Sequence, residues 1–217
     1  MRDTVRRRAL LSAGLALAVL PVACGRSGPK GFPVAAGATV LALGDSLTFG
    51  TGATAGTSYP TVLAGLTGWN IVNAGVPGET SAQIRDRLPG LLAEHHPALV
   101  LVCAGGNDFL RAMPEAGTRD NVRAIVQACR DAGAQAMLIA VPRLSAMAAI
   151  TGSLKDHALF ADVAGELKVP LHAGGWSGVL ADASLRADQV HANARGYERF
   201  ARELHQSLKD SGLLPSS

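Results

Sequence analysis

The chain has 217 residues, 48% hydrophobic and 17% charged, with 20 basic against 17 acidic side chains. Arg2, Arg6, Arg7 and Arg8 against Asp3 account for the whole formal charge of +3, so the residues beyond 23 balance to zero. That balance, with no basic patch interleaved with aromatics, excludes nucleic acid as an expected partner, and no Cys/His spacing suggests a metal.

Arg6-Arg7-Arg8 precedes an apolar run from Ala9 to Leu20, which Pro21-Val22-Ala23-Cys24 closes. A basic start, a short apolar stretch and small residues at its end read as an export signal. The run falls short of the ~20 residues of a membrane span. Arg7-Arg8-Ala9-Leu10-Leu11 resembles a twin-arginine signal. The small residues before Cys24 resemble a bacterial lipoprotein box, with Pro21 where leucine is usual. That resemblance implies lipidation of Cys24 and membrane anchoring; cleavage after Ala23 or at Ala36-Gly37-Ala38 is the alternative. The organisation expected is an export signal over residues 1–23, a Gly/Ser/Pro-containing linker over 24–37, and one domain over 38–212. About 180 residues suit a single domain with a sizeable core.

Beyond the linker, short apolar runs alternate with amphipathic stretches. The runs Thr39–Leu43, Trp69–Ala74, Leu99–Ala104 and Ala136–Val141 have the length and continuity of buried parallel strands. Ser58-Tyr59-Pro60 opens a helix, with Ser58 placed to cap and proline tolerated in the first turn. Thr80 and Gln83 stand at capping-box spacing at the start of another. Val122, Ile125, Val126 and Cys129 form one helical stripe that Gly133 closes. Further helices are expected over Leu154–Leu167 and from about Asn193 to Leu208, the last with Tyr197, Phe200, Ala201, Leu204 and Leu208 on one face. Such alternation implies a parallel sheet covered on both sides. Ligands in such sheets gather outside the carboxyl ends of the strands, where Ser46, Gly75 and Asn107 all fall.

Gly44-Asp45-Ser46 follows the first run directly, a turn that presents a hydroxyl at the sheet edge. A serine is a weak nucleophile unless a positioned base takes its proton. His191 is the candidate base, and Asp188, three residues earlier, the group that orients it. The negative tetrahedral oxygen of acyl transfer needs donors; the backbone N–H groups of Ser46 and Gly75 and the side-chain amide of Asn107 are the candidates. The substrate expected is a small-molecule ester, with no cofactor. Oligomeric state is not legible.

Gly44-Asp45-Ser46-Leu47, Gly75 in Asn73-Ala74-Gly75, Gly105-Gly106-Asn107-Asp108 and Asp188-Gln189-Val190-His191 resemble, in order, the four sequence blocks of the SGNH (GDSL) hydrolase family. The resemblance runs from residue 39 to the last helix, and its short spacing is similar to the bacterial arylesterase and lysophospholipase branch. It implies a three-layer α/β/α sandwich with a five-stranded parallel sheet. It also implies metal-free hydrolysis of acyl esters, with Ser46, Asp188 and His191 as triad and Ser46, Gly75 and Asn107 as oxyanion hole. Many relatives carry proline after the histidine; Ala192-Asn193 here implies a looser loop.

Other readings stand beside this one. Longer acyl chains, as in a lysophospholipase or thioesterase, and O-acetylated carbohydrate are alternative substrates. A non-catalytic ligand-binding surface lipoprotein is the reading from another class. An ordinary α/β-hydrolase is disfavoured, because no Gly-x-Ser-x-Gly elbow is present. Ser177 in Gly175-Trp176-Ser177-Gly178 lacks ordered partners, Trp176 and Phe49 are placed to line a pocket or pack, and Cys103 and Cys129 read as buried thiols rather than a disulfide.

Overall fold

The computed structural model describes residues 28–143 and 154–215. The export signal and Cys24 lie outside the described residues. Five parallel strands, β1 (Thr39–Gly44), β2 (Asn70–Gly75), β3 (Leu99–Cys103), β4 (Gln135–Ile139) and β5 (Leu171–His172), form one sheet in the order β2-β1-β3-β4-β5. The helices are α1 (Ser46–Phe49), α2 (Tyr59–Thr67), α3 (Ser81–His95), α4 (Gly106–Leu110), α5 (Glu115–Asp131), α6 (Ala158–Leu167), α7 (Gly175–Ala181) and α8 (Ala194–Asp210). α2 packs on α8 over one face of the sheet, and α3, α5 and α6 pack over the other. The result is the expected three-layer α/β/α sandwich.

Burial explains why the strands lack alternation. Every residue of β3 is buried, as is all of β1 after Thr39, because helices cover both faces. Each fully buried aliphatic side chain there contributes about 1.5–3 kcal/mol. The stripe Val122, Ile125, Val126 and Cys129 is the buried face of α5, and Tyr197, Phe200, Ala201, Leu204 and Leu208 that of α8. Trp176 is fully buried, stacked on Phe200 with ring centroids 3.6 Å apart and edge-on to Tyr59 and Tyr197. It is a core residue and not a pocket wall. Cys103 and Cys129 are buried free thiols.

Several boundaries differ from expectation for local reasons. α6 starts at Ala158 and not Leu154, because Asp156 bridges to Pro142 and His157 caps the helix by accepting the Leu159 N–H at 3.4 Å. Ser58 occupies the N-cap of α2, but its hydroxyl bonds the Ala55 carbonyl and Thr61 instead. Thr80 and Gln83 do form the reciprocal capping box of α3. β5 has two residues, too few for any periodicity. The stretch expected as linker is held down from Lys30 onward: Gly31 N–H donates to Ser211, Val34 N–H to Leu213, and Phe32 exchanges bonds with the Gln135 side chain. These contacts lie at the amino edge of the sheet, where β4 begins and α8 ends.

The strand order reverses direction between β1 and β3, since β2 lies on one side of β1 and β3, β4 and β5 on the other. Crevices outside the carboxyl ends at such a point are where open α/β sheets bind ligands. Gly44 is in register with both Gly75 and Cys103, so the loops after β1, β2 and β3 leave the sheet at one level.

Candidate active site

Ser46 is the first residue of α1, two residues beyond the end of β1. Asp45 caps this helix, accepting the Leu47 N–H at 3.0 Å. The strand therefore turns into a helix within one residue and projects the serine side chain from the sheet edge. From the loop before α8, His191 Nε2 lies 2.9 Å from Ser46 Oγ. Its Nδ1 lies 2.7 Å from Asp188 Oδ2. An ionised carboxylate only accepts, so the neutral ring carries its proton on Nδ1 and leaves Nε2 to accept from the serine hydroxyl.

The other oxygen of Asp188 takes the N–H groups of Val190 and His191, both at 2.8 Å. Burial raises this carboxyl, but the bonds from the His191 ring and the two amides outweigh it and hold its pKa below the usual value. The loop is not loose despite Ala192. Arg186 bridges to Ala192, which is fully buried, Ala187 N–H donates to the His191 carbonyl, and Asn193 donates to the Ser184 and Arg186 carbonyls. These bonds do the work expected of a proline.

Asn107 sits in the first turn of α4, just beyond β3, with its Nδ2 donating to the Glu79 carbonyl at 2.9 Å and 3.4 Å from Asp45 Oδ2. Next to it, buried Asp108 accepts from Ser81 N–H at 2.8 Å, Ser81 Oγ at 2.5 Å and Thr118 Oγ1 at 3.2 Å. It thereby welds the Asn107 turn to the start of α3. Asp45 is almost fully buried; burial pushes its carboxyl pKa up to about 6, against the opposing Leu47 N–H bond.

The structure brings Ser46, Asn107, His191 and Asp188 together, but not Gly75. The Gly75 N–H donates to Asn73 Oδ1 at 3.0 Å, and the residue borders a separate groove with Phe49 and Asn73. Gly75 is still part of β2, and it matters for another reason. A Cβ there would come within 2.7 Å of Phe49 Cα and the Thr48 carbonyl carbon, and closer still to Phe49 N. Only glycine lets β2 pass this close to the helix that carries Ser46. Asn73 completes the contact, donating from Nδ2 to the Phe49 carbonyl at 3.2 Å.

The glycine that does face Ser46 is Gly78. A cleft of about 280 Å³ is lined by Ser46, Leu47, Pro77, Gly78, Asn107, Leu110, Val190 and His191, among others. Among the described residues, the N–H groups of Ser46 and Gly78 meet no hydrogen-bond partner, so both are available to an incoming oxygen. Gly78 has φ +83°, in the left-handed region that favours glycine. Two positions past Val76, in the loop ahead of the α3 capping box, it was open to inspection as a turn glycine. Phe49 is half-exposed outside this cleft. Ser177 donates to Asp156 Oδ1 at 2.7 Å, the other oxygen of which accepts the Gly174 N–H at 2.6 Å. Chemically, the cleft offers a hydroxyl, a base on that hydroxyl, an oriented acid behind the base, and residues with unpartnered N–H groups, Ser46 and Gly78, on its wall.

The family described as GDSL-like lipase/acylhydrolase matches residues 42–199. The Escherichia coli K12 protein named thioesterase 1/protease 1/lysophospholipase L1 is 38% identical over 144 residues, covering 64% of this chain and 68% of that protein. Esterase TesA of Pseudomonas aeruginosa is 31% identical over 188 residues, covering 81% of this chain and 90% of that one. Among solved structures, the psychrotrophic esterase EstA from Pseudoalteromonas sp., inhibited by monoethylphosphonate, superposes with a TM-score of 0.68 at 26% identity, covering 79% of this chain and 96% of that one.

Proposed function

The chain belongs to the GDSL-like lipase/acylhydrolase family and is a serine hydrolase of the esterase type, and we propose that it cleaves small acyl esters through Ser46, His191 and Asp188. The relay of 2.9 Å from Ser46 Oγ to His191 Nε2 and 2.7 Å from Nδ1 to Asp188 carries this reading. Ser46 Oγ attacks the acyl carbon while His191 Nε2 takes its proton. The resulting oxyanion is received by the N–H groups of Ser46 and Gly78 and by Asn107 Nδ2. The imidazolium, held by ionised Asp188, gives its proton to the departing alcohol and leaves an acyl-Ser46. Water, deprotonated by His191, repeats the sequence and frees the acid.

The cleft, at about 280 Å³, falls just below the ~300–1,000 Å³ of ligand pockets, which favours a short acyl group. A second reading, longer chains, is favoured by the exposed side chains of Val76, Leu110 and Met113 on the segments that follow β2 and β3. Hydrolysis of p-nitrophenyl esters from acetate to palmitate, wild type beside Ser46→Ala, tests both. The proposal expects a loss of about 10⁴-fold or more in kcat for the variant, with the profile of the wild type sizing the pocket. Equal rates for both proteins on every ester would defeat it.

We also read the chain as exported and held to a membrane by lipidated Cys24. Support comes from the basic and apolar pattern before it. The first described residues also sit at the amino edge of the sheet, opposite Ser46, so an anchor there leaves the cleft open to solvent. Among the described residues no helix is long and apolar enough to cross a membrane. Cys24→Ser should move the protein from the membrane to the soluble fraction; unchanged fractionation would defeat the anchor.

A further inference from the structure

Arg87, on α3, lies outside the cleft, yet its guanidinium reaches the loops that build it. Nη2 donates to the carbonyls of Gly44 at 3.0 Å and Ala74 at 2.7 Å, and Nε donates to Glu79 Oε2 at 2.6 Å. Both partners of the ion pair are mostly enclosed, with side-chain exposures of 23% for Arg87 and 17% for Glu79. Gly44 precedes the Asp45-Ser46 turn, and its carbonyl also accepts the Val76 N–H at 3.1 Å. Glu79 follows Gly78, and its own carbonyl holds Asn107 Nδ2. One cation is thus joined, within one or two bonds, to each of the three segments that carry a candidate oxyanion donor.

We propose that Arg87 is a positioning residue that fixes the spacing of the Ser46 and Gly78 N–H groups and Asn107 Nδ2 about the oxyanion; this rests on the Ser46 reading above. The carbonyls of Gly44 and Ala74 lie within the last two residues of β1 and β2, at the carboxyl end of the parallel sheet. A planar fork satisfies two carbonyls and a carboxylate together, whereas lysine supplies a point charge with no fixed directions. Donors aimed at the oxyanion act through preorganisation, and a displacement of 1 Å costs about 10²-fold in rate. Arg87 therefore acts on turnover without touching substrate.

The test compares p-nitrophenyl ester kinetics of wild type, Arg87→Gln, Arg87→Lys, Asn107→Ala and the Arg87→Gln/Asn107→Ala pair, with a melting curve for each. Arg87→Gln should lose about 10–100-fold in kcat with KM within about twofold. Added guanidinium ion should recover part of that loss. With Asn107 already removed, the same substitution should cost clearly less, because coupled residues are not additive. Arg87→Lys keeps the charge and gives the same reading, at smaller loss, if Arg87→Gln does not fold. Folded Arg87 variants with wild-type kcat, a loss confined to KM, or an equal loss in both backgrounds would overturn the positioning role while leaving the Ser46 reading intact. Absence of Ser46-dependent turnover in the wild type would overturn both.

Discussion

Gly75→Ala separates two accounts of the glycine after β2. The substitution keeps the backbone N–H, so a residue whose task is to donate that N–H should tolerate it. The structure expects otherwise. The new methyl group would stand 2.7 Å from Phe49 Cα and from the Thr48 carbonyl carbon, where ordinary carbon contacts begin at about 3.5 Å. The atoms in the way are backbone, so β2 or α1 must shift by close to 1 Å. Overpacking of this kind costs about 1–3 kcal/mol. Because α1 opens with Ser46, the shift also moves the nucleophile away from His191, 2.9 Å distant, and a misplacement of 1 Å costs about 10²-fold in rate. Stopped ester assays and thermal melts on the purified variant measure both. The expected result is a lowered Tm together with a kcat reduced by about two orders of magnitude. A variant with wild-type Tm and kcat would refute the steric argument.

Three further outcomes follow from the same geometry. Asn107→Ala should lower kcat by about 10²–10³-fold with little change in KM, the cost of removing one oxyanion donor; steady-state kinetics with unchanged turnover would remove Asn107 from the hole. Asp45, whose folded pKa is raised to about 6 by burial, binds its proton more tightly folded than unfolded. It therefore costs the folded state stability as pH rises from 4 through 6, on the order of 3 kcal/mol at pH 8. Asp45→Asn removes that titration, so the fall in Tm between pH 5 and pH 8 should shrink; an identical pH profile would contradict the shift. His172, buried against Phe200 and bonded to Ser207 at 2.8 Å, has its pKa lowered to about 4 by burial. Its neutral form contributes fully above pH 6.5, and the contribution fades as pH falls toward 4, by an amount on the order of 3 kcal/mol. Urea unfolding of His172→Asn at pH 7 and pH 4.5 should show a flatter acid dependence than wild type, and an equally steep one would count against it.

Much of the architecture was legible because it rests on burial. β1 and β3 are covered on both faces, so their apolar runs stand out, and α5 and α8 each bury a full stripe against the sheet. α1, α4 and α7 span seven residues or fewer, short of two full turns in which to show a period, and they are held by tertiary bonds such as Ser177 to Asp156. At the site, the Ser46, Asp188 and His191 positions were readable from type, order and spacing. The place of Gly78, and not Gly75, on the cleft wall was not, since both are glycines after an apolar run. What separates them is register: Gly75 still pairs with Gly44, while Gly78 lies beyond the strand in a left-handed turn. Arg87 escaped because its partners are carbonyls 13 and 43 residues away, and no local pattern marks a long-range clamp.

Covalent trapping tests the central claim most directly. The protein would be treated with a p-nitrophenyl alkylphosphonate, and its intact mass and peptide map recorded beside Ser46→Ala and His191→Ala. One phosphonyl group on the peptide containing Ser46, none on Ser46→Ala and markedly slower labelling of His191→Ala is the result expected of a serine activated by its neighbouring imidazole. Labelling that falls elsewhere, or that proceeds equally without His191, would contradict the account.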